Sequence, residues 1–363
     1  MWYYVPIVFI PAFLVIVASK FFFPHHVTWK EWMVQLGVGF VLTIILTAAT
    51  MIGGQVGSAD FTIFSGEVTG KESVRVSCSH QYKCGETCRT ESYTDSKGKR
   101  HTRRVCEPKY CDEHAYDVSW RVYTTLGTWT IEREDRRGLK TPQRWDDTEI
   151  GEPVQESRYA SNYLLLNDDR FGTSSSVRAK FAGHLFAYPV PYDYWKIQRV
   201  LQDNKQDYDG ISIWLNEQLK KDGPAKQLNV ILVVTKNLDP ELYFAQIEAW
   251  RGVRKNDVVL FYGVDEDENI KWSKAMSFAD GQDNLVMLKE LQSMTYERTF
   301  GVELVQEQYK KIVKEFHRVP NSTFEYMKDA WVPPTWWIIT MSLVNLLAAI
   351  GIAWFMVKED LFR

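Results

Sequence analysis

Uncharged stretches dominate the two ends of the chain. No Asp, Glu, Lys or Arg occurs in residues 1–19, between Glu31 and Asp60, or between Asp329 and Lys358. About 20 apolar residues carry a helix across the hydrocarbon core of a bilayer. The pattern therefore predicts three transmembrane helices, over residues 1–23, 32–54 and 335–357. Pro6 and Pro11 fall in the first, where neighbouring groups can satisfy a freed carbonyl. Trp29, Trp32, Trp331, Trp336 and Trp337 flank the runs, at the level where amphipathic rings favour the membrane interface. The first run has no basic leader and no small-residue cleavage site before the second, so it reads as a span and not as a signal peptide.

Between the spans the pattern changes twice. Residues 60–170 read as a β-rich domain: residues 64–76 alternate, and residues 116–132 (YDVSWRVYTTLGTWTIE) are a strand–turn–strand pattern. Residues 167–176 (NDDRFGTSSS) are a turn-rich boundary. From 180 to 318 helix and strand alternate. Ile211, Trp214, Leu215 and Leu219 share one helical face, and residues 228–235 (LNVILVVT) form an apolar run suited to a buried strand. A helix over 240–250 starts on Pro240. Strands over 257–264 and 270–278 flank the turn at residues 265–269, and two helices fall within 284–317. Strand–helix–strand units favour parallel neighbours, and the terminal hairpin makes the sheet mixed. The expected class is an α+β membrane protein with a β-rich, cysteine-containing domain and an α/β sandwich.

Lys20 and Lys30 lie in the first inter-span loop, and Lys358 and Arg363 lie in the C-terminal tail. The entry to the central body, residues 55–70, carries Asp60 and Glu67 with no cation. With three spans, the positive-inside bias puts the loop and the C-terminus in the cytoplasm and the body outside it, periplasmic or extracellular. A net charge of -3 and a pI of about 6.2 argue against nucleic acid as a partner. The expected partners are the bilayer and a protein.

The order DGISIWLNEQL, LNVILVVTKNLDPELYFAQIEAW and RKNDVVLFYGVDEDENI, over residues 209–270, resembles the TPM domain. The likeness extends over residues 192–318, under half of the chain. It implies a membrane-tethered, extracytoplasmic α/β domain, and some members of that family are credited with phosphatase or divalent-ion activity. The β-rich cysteine-bearing segment and the two N-terminal spans depart from the family pattern, and a Gly-rich tail is lacking. The layout is also similar to uncharacterised membrane proteins of large tailed bacteriophages.

All five cysteines, Cys78, Cys84, Cys88, Cys106 and Cys111, fall in one short segment with His80, His101 and His114. Cys84, Cys88, Cys106 and Cys111 have the spacing of a structural zinc site. The competing arrangement is a hairpin turning at Asp95-Ser96-Lys97-Gly98, with disulfides Cys88–Cys106 and Cys84–Cys111 and Cys78 left over. An extracytoplasmic location favours the disulfides. The arm between the pairs carries Arg89, Lys97, Lys99, Arg100, Arg103 and Arg104, a basic finger for lipid phosphates or an acidic partner, or a solvated hairpin protected by its charge.

No nucleophile elbow, zincin, P-loop or dinucleotide motif is present, so no catalytic residue is assigned. Asp207 and Asp209 before a helix and Asp265 and Asp267 in a turn are the candidates for a divalent cation, against the alternative of a helix cap and a solvated turn. The sequence points to a non-enzymatic, membrane-anchored accessory or interaction protein. The alternatives are a metal-dependent phosphatase using those acidic loops and a membrane-perturbing phage product. No cofactor is assigned beyond a possible structural zinc or bound divalent cation.

Overall fold

A computed structural model describes residues 4–94, 98–166, 175–278, 283–327 and 332–359. The expected turn at Asp95–Lys97, most of the boundary segment and Trp331 lie outside the described residues.

Three apolar helices, α1 (Tyr4–Phe22), α2 (Trp29–Gly57) and α9 (Thr335–Glu359), are each long enough to cross a membrane. A reciprocal capping box begins α2. The Thr28 N–H donates to Glu31 at 2.6 Å, and the Glu31 N–H donates to the Thr28 hydroxyl at 3.3 Å. Small and polar side chains line the contacts between helices, as close packing in lipid requires. Asn345 Nδ2 donates to the Val8 carbonyl at 3.1 Å and to Thr43 Oγ1 at 2.7 Å. Ser19 Oγ donates to Gln35 Oε1 at 2.8 Å, and Trp337 Nε1 donates to Thr50 Oγ1 at 3.1 Å. Gln35 near the start of α2 meets Met356 near the end of α9, so these two helices run antiparallel. Lys20, Lys30 and Lys358 consequently share one end of the bundle. Outward residues such as Leu14, Val41 and Leu347 are exposed apolars, a surface suited to lipid.

The body holds two four-stranded sheets and a separate hairpin. The first sheet is antiparallel, in the order β5 (Thr128–Ile131), β4 (Asp117–Thr124), β1 (Ala59–Val76), β6 (Pro153–Ser161). β1 is shared: residues 59–67 pair with β6, residues 68–76 pair with β4, and the register shifts at Val68/Gly70. The second sheet has the order β10 (Ile270–Ser277), β9 (Asp257–Val264), β8 (Asn229–Thr235), β7 (Val200–Gln202). β7, β8 and β9 are parallel and β10 is antiparallel, giving a mixed sheet. Every residue of β8 and β9 is buried, because both faces are covered. Helices α5 (Asp209–Lys226), α7 (Asp283–Ser293) and α8 (Val302–Glu315) pack on one face. Helix α6 (Leu242–Ala249) and residues Phe186, Tyr188 and Val319 pack on the other. Two short helices, α3 (Gln143–Asp146) and α4 (Ser175–Phe181), complete the body.

Helix α5 is longer than its apolar face foretold, and α6 starts after Pro240, which lies in the turn before it. Residues from the second half of the body pack against the first sheet. Trp195, beyond the turn-rich boundary, is fully buried with Val68, Trp120, Val122, Ile131 and Val154 of the first sheet. Arg199 is also fully buried, and it donates to Asn216 Oδ1 at 2.8 Å, to Ser65 Oγ of β1 at 3.0 Å, and to Asn229. Gly223 of α5 lies so close to β1 that an added Cβ would stand 2.9 Å from the Ser65 Cβ.

Candidate functional site

Strands β2 (Gln81–Thr94) and β3 (Arg100–Asp112) form an antiparallel arm, and no residue of either strand is buried. Their main packing is on each other. At roughly 3.3 Å per residue the arm is about 45 Å long. A two-stranded ribbon without a core is marginally stable in water, so its order must come from cross-links.

Those cross-links are Cys88–Cys106 and Cys84–Cys111, with Cα separations of 4.0 and 5.6 Å. Cys88 and Cys106 are directly opposed in the register. The second bridge poses a parity problem. Cys84 and Cys88 differ by an even step and share a face, whereas Cys106 and Cys111 differ by an odd step and would alternate across a regular strand. A bulge resolves it: Lys83 faces Tyr110 and Gly85 faces Lys109, which leaves Cys84 as the extra residue. The same four cysteines can offer thiolates to zinc only with both bridges reduced.

The distal part of the arm is basic. Between residues 89 and 105 six Lys and Arg stand against two acids. Glu91 draws Arg89 and Arg103 to 3.0 and 3.2 Å, and these cations hold its carboxyl below its ordinary range. Arg104 has no acidic partner among the described residues. Tyr82, Tyr93 and Tyr110 are exposed on the arm.

Where the arm joins the body, four further side chains converge. Cys78, His80, His114 and Asp117 each place one ligand atom within 4.8 Å of all the others. Cys78 is buried and unbridged. Asp117, at the start of β4, is fully buried. It accepts from the Ser79 N–H at 2.9 Å, the Ser79 hydroxyl at 2.8 Å, Arg133 Nη1 at 2.9 Å and His114 Nε2 at 2.7 Å. Led by the Ser79 N–H, these donors hold its carboxyl well below the usual range against the opposing effect of burial. His80 Nδ1 lies 3.6 Å from the same carboxylate, is itself buried, and makes no hydrogen bond. The sequence shows Cys78, His80 and His114 among the cysteines. Asp117 goes unmarked there, although C-x-H before the arm and H-x-x-D after it were the available signal.

The acidic candidates of the second sheet are placed differently. Asp207 Oδ1 accepts the Asp209 N–H at 2.9 Å, in an Asx turn that leads into α5, and Asp209 Oδ1 accepts from Gln198 at 3.1 Å. Asp265 is paired with Lys271 at 2.8 Å and accepts the Asn269 and Asp267 N–H groups. Lys271 and these amides hold its carboxyl well below the usual range. The structure brings the two loops together at the C-terminal ends of the parallel strands, where Tyr208 donates to Glu268. Lys236 sits between them, donating to Glu268 Oε1 at 2.9 Å and to the Asp265 carbonyl at 2.5 Å. An ammonium thus holds the centre of this edge, and among the described residues these acids form no cluster with shared ligand distances.

No family model matches the chain, and comparison with curated proteins and with solved structures finds no match.

Proposed function

We propose that the chain is a membrane-anchored accessory protein that presents a TPM-like domain and a rigid basic arm to a protein partner outside the cytoplasm. The arm carries this reading: both strands are solvent-facing along their length, yet two disulfides hold them in register. A solvated loop needs no such clamp, whereas a docking element gains by being ordered before it binds. The arm leaves the body at the end of β1 remote in chain from α2, after an 18-residue strand that spans about 55 Å when extended. That separation favours a protein over the chain's own bilayer. The cation-rich end of the helix bundle supports a cytoplasmic C-terminus, and the disulfides favour an oxidising compartment for the body.

The test is photo-crosslinking from native membranes with a probe at Tyr93 or Arg104. One partner, captured by the wild-type chain and lost on Arg103→Glu with Arg104→Glu, is the expected result. Capture that ignores arm charge would overturn the assignment. A second reading, a metal-dependent phosphatase, draws on the position of the acidic loops at the C-terminal ends of parallel strands, where α/β sheets bind ligands. Phosphoester turnover by the purified chain, lost on Asp265→Asn, would establish that reading in place of the first.

A further inference from the structure

The two disulfides account for four of the five cysteines, and the fifth lies in a cluster with metal-binding chemistry. Cys78 and His80 precede the arm, and His114 and Asp117 follow it. Two short-spaced ligand pairs from antiparallel stretches are the usual construction of a tetrahedral structural zinc site. In such a site, neighbouring ligand atoms stand roughly 3.3–3.8 Å apart, given Zn–N of about 2.0 Å and Zn–S of about 2.3 Å. Here one atom from each residue lies within 4.8 Å of the rest, so a small contraction closes the set.

We propose that Cys78, His80, His114 and Asp117 bind one zinc ion as a structural site that closes the base of the arm. Three independent features bear on it. First, Cys78 is buried and unbridged, so its thiol is held within the cluster and not displayed at the surface for an intermolecular disulfide, a common fate of an odd cysteine in an oxidising compartment. Second, the buried His80 Nδ1 has no hydrogen-bond partner, an omission that a buried polar atom does not ordinarily show. Third, the Asp117 carboxylate is already oriented by Ser79 and Arg133 through Oδ2, with His80 Nδ1 3.6 Å from Oδ2 and His114 Nε2 2.7 Å from Oδ1, so both histidines already face it. Orientation of a ligating carboxylate by outer donors is characteristic of built metal sites. The four residues supply four ligands with no position left for water, which specifies a structural and not a catalytic metal. The ion would form a third rung below Cys84–Cys111 and Cys88–Cys106, where the arm joins the body.

The full-length chain in detergent, with its disulfides intact, provides the test. After chelator treatment it is titrated with Co²⁺ and then with Zn²⁺. One equivalent of Co²⁺ is expected to produce tetrahedral d–d bands and a thiolate-to-cobalt charge-transfer band, both removed by Zn²⁺. The charge-transfer band is lost in Cys78→Ser and kept in Cys84→Ser with Cys111→Ser. Asp117→Asn is expected to weaken binding about 10- to 100-fold. A second measurement needs no variant: Zn²⁺ slows alkylation of Cys78 in the wild-type chain. Absence of metal uptake by the wild-type chain, alkylation of Cys78 at equal rates with and without Zn²⁺, or a charge-transfer band that survives Cys78→Ser would each overturn the proposal.

Discussion

Removing one disulfide from the arm should loosen the arm and leave the body unchanged. The outer bridge joins positions 27 apart and the inner bridge positions 18 apart. Chain-entropy estimates for loops of that size give about 3.6 and 3.2 kcal/mol, taken singly. With the inner bridge in place, the outer one closes only about ten residues, and its share falls to about 2.7 kcal/mol. At 1.4 kcal/mol per decade, Cys84→Ser with Cys111→Ser should accelerate amide exchange in the proximal arm roughly a hundredfold. Losing both bridges removes about 6 kcal/mol, more than a bare hairpin can supply. The amides of β8 and β9 should not respond, because no residue of β2 or β3 is buried and the two strands rest mainly on each other. Hydrogen exchange read by mass spectrometry, peptide by peptide, measures both regions in one sample. Reduced protection in β8 and β9, or a lowered melting midpoint of the body, would show that the arm is part of the core. An arm that exchanges at the wild-type rate without either bridge would refute the premise that cross-links order it.

Other outcomes follow from buried groups. Lys255 is 3% exposed, and burial, with repulsion from Arg318, pulls its ammonium from 10.5 down to about 8 against the attraction of Asp60. The folded state then binds fewer protons than the unfolded state between about pH 8 and 10, so stability rises with pH across that window and is flat from this group below it. Denaturant midpoints against pH should show the rise in the wild-type chain and lose it in Lys255→Met. Trp195→Ala should cost about 3–5 kcal/mol, and a fragment of residues 60–170 should not give a cooperative melt, because that fragment lacks Trp195. Within the bundle, Asn345→Leu removes two bonds between helices. It should weaken association of the spans by about 1 kcal/mol in detergent titration; a shift several times larger would mean that Asn345 organises the bundle.

Properties set by local pattern were legible in the chain. The bilayer fixes the length of a span and excludes charge from it, so three uncharged runs announce α1, α2 and α9 without reference to any neighbour. Residues 228–235 read as a buried strand because both faces are apolar, residues 257–264 read as a strand, and β8 and β9 lie there. The pairing of Cys88 with Cys106 follows from where the hairpin turns. What tertiary structure alone decided depends on convergence. The bulge at Cys84 that lets two odd-spaced cysteines bridge is a property of register between strands. Trp195 joins a core on the far side of an apparent boundary because sheet packing, and not chain order, selects its neighbours. Lys236 enters the acidic edge from a different strand end than the acids it meets. The cluster of Cys78, His80, His114 and Asp117 exists because an antiparallel arm returns its two ends to one place. Residues 78 and 117 are neighbours only after the arm has closed, and no periodicity along the sequence records that.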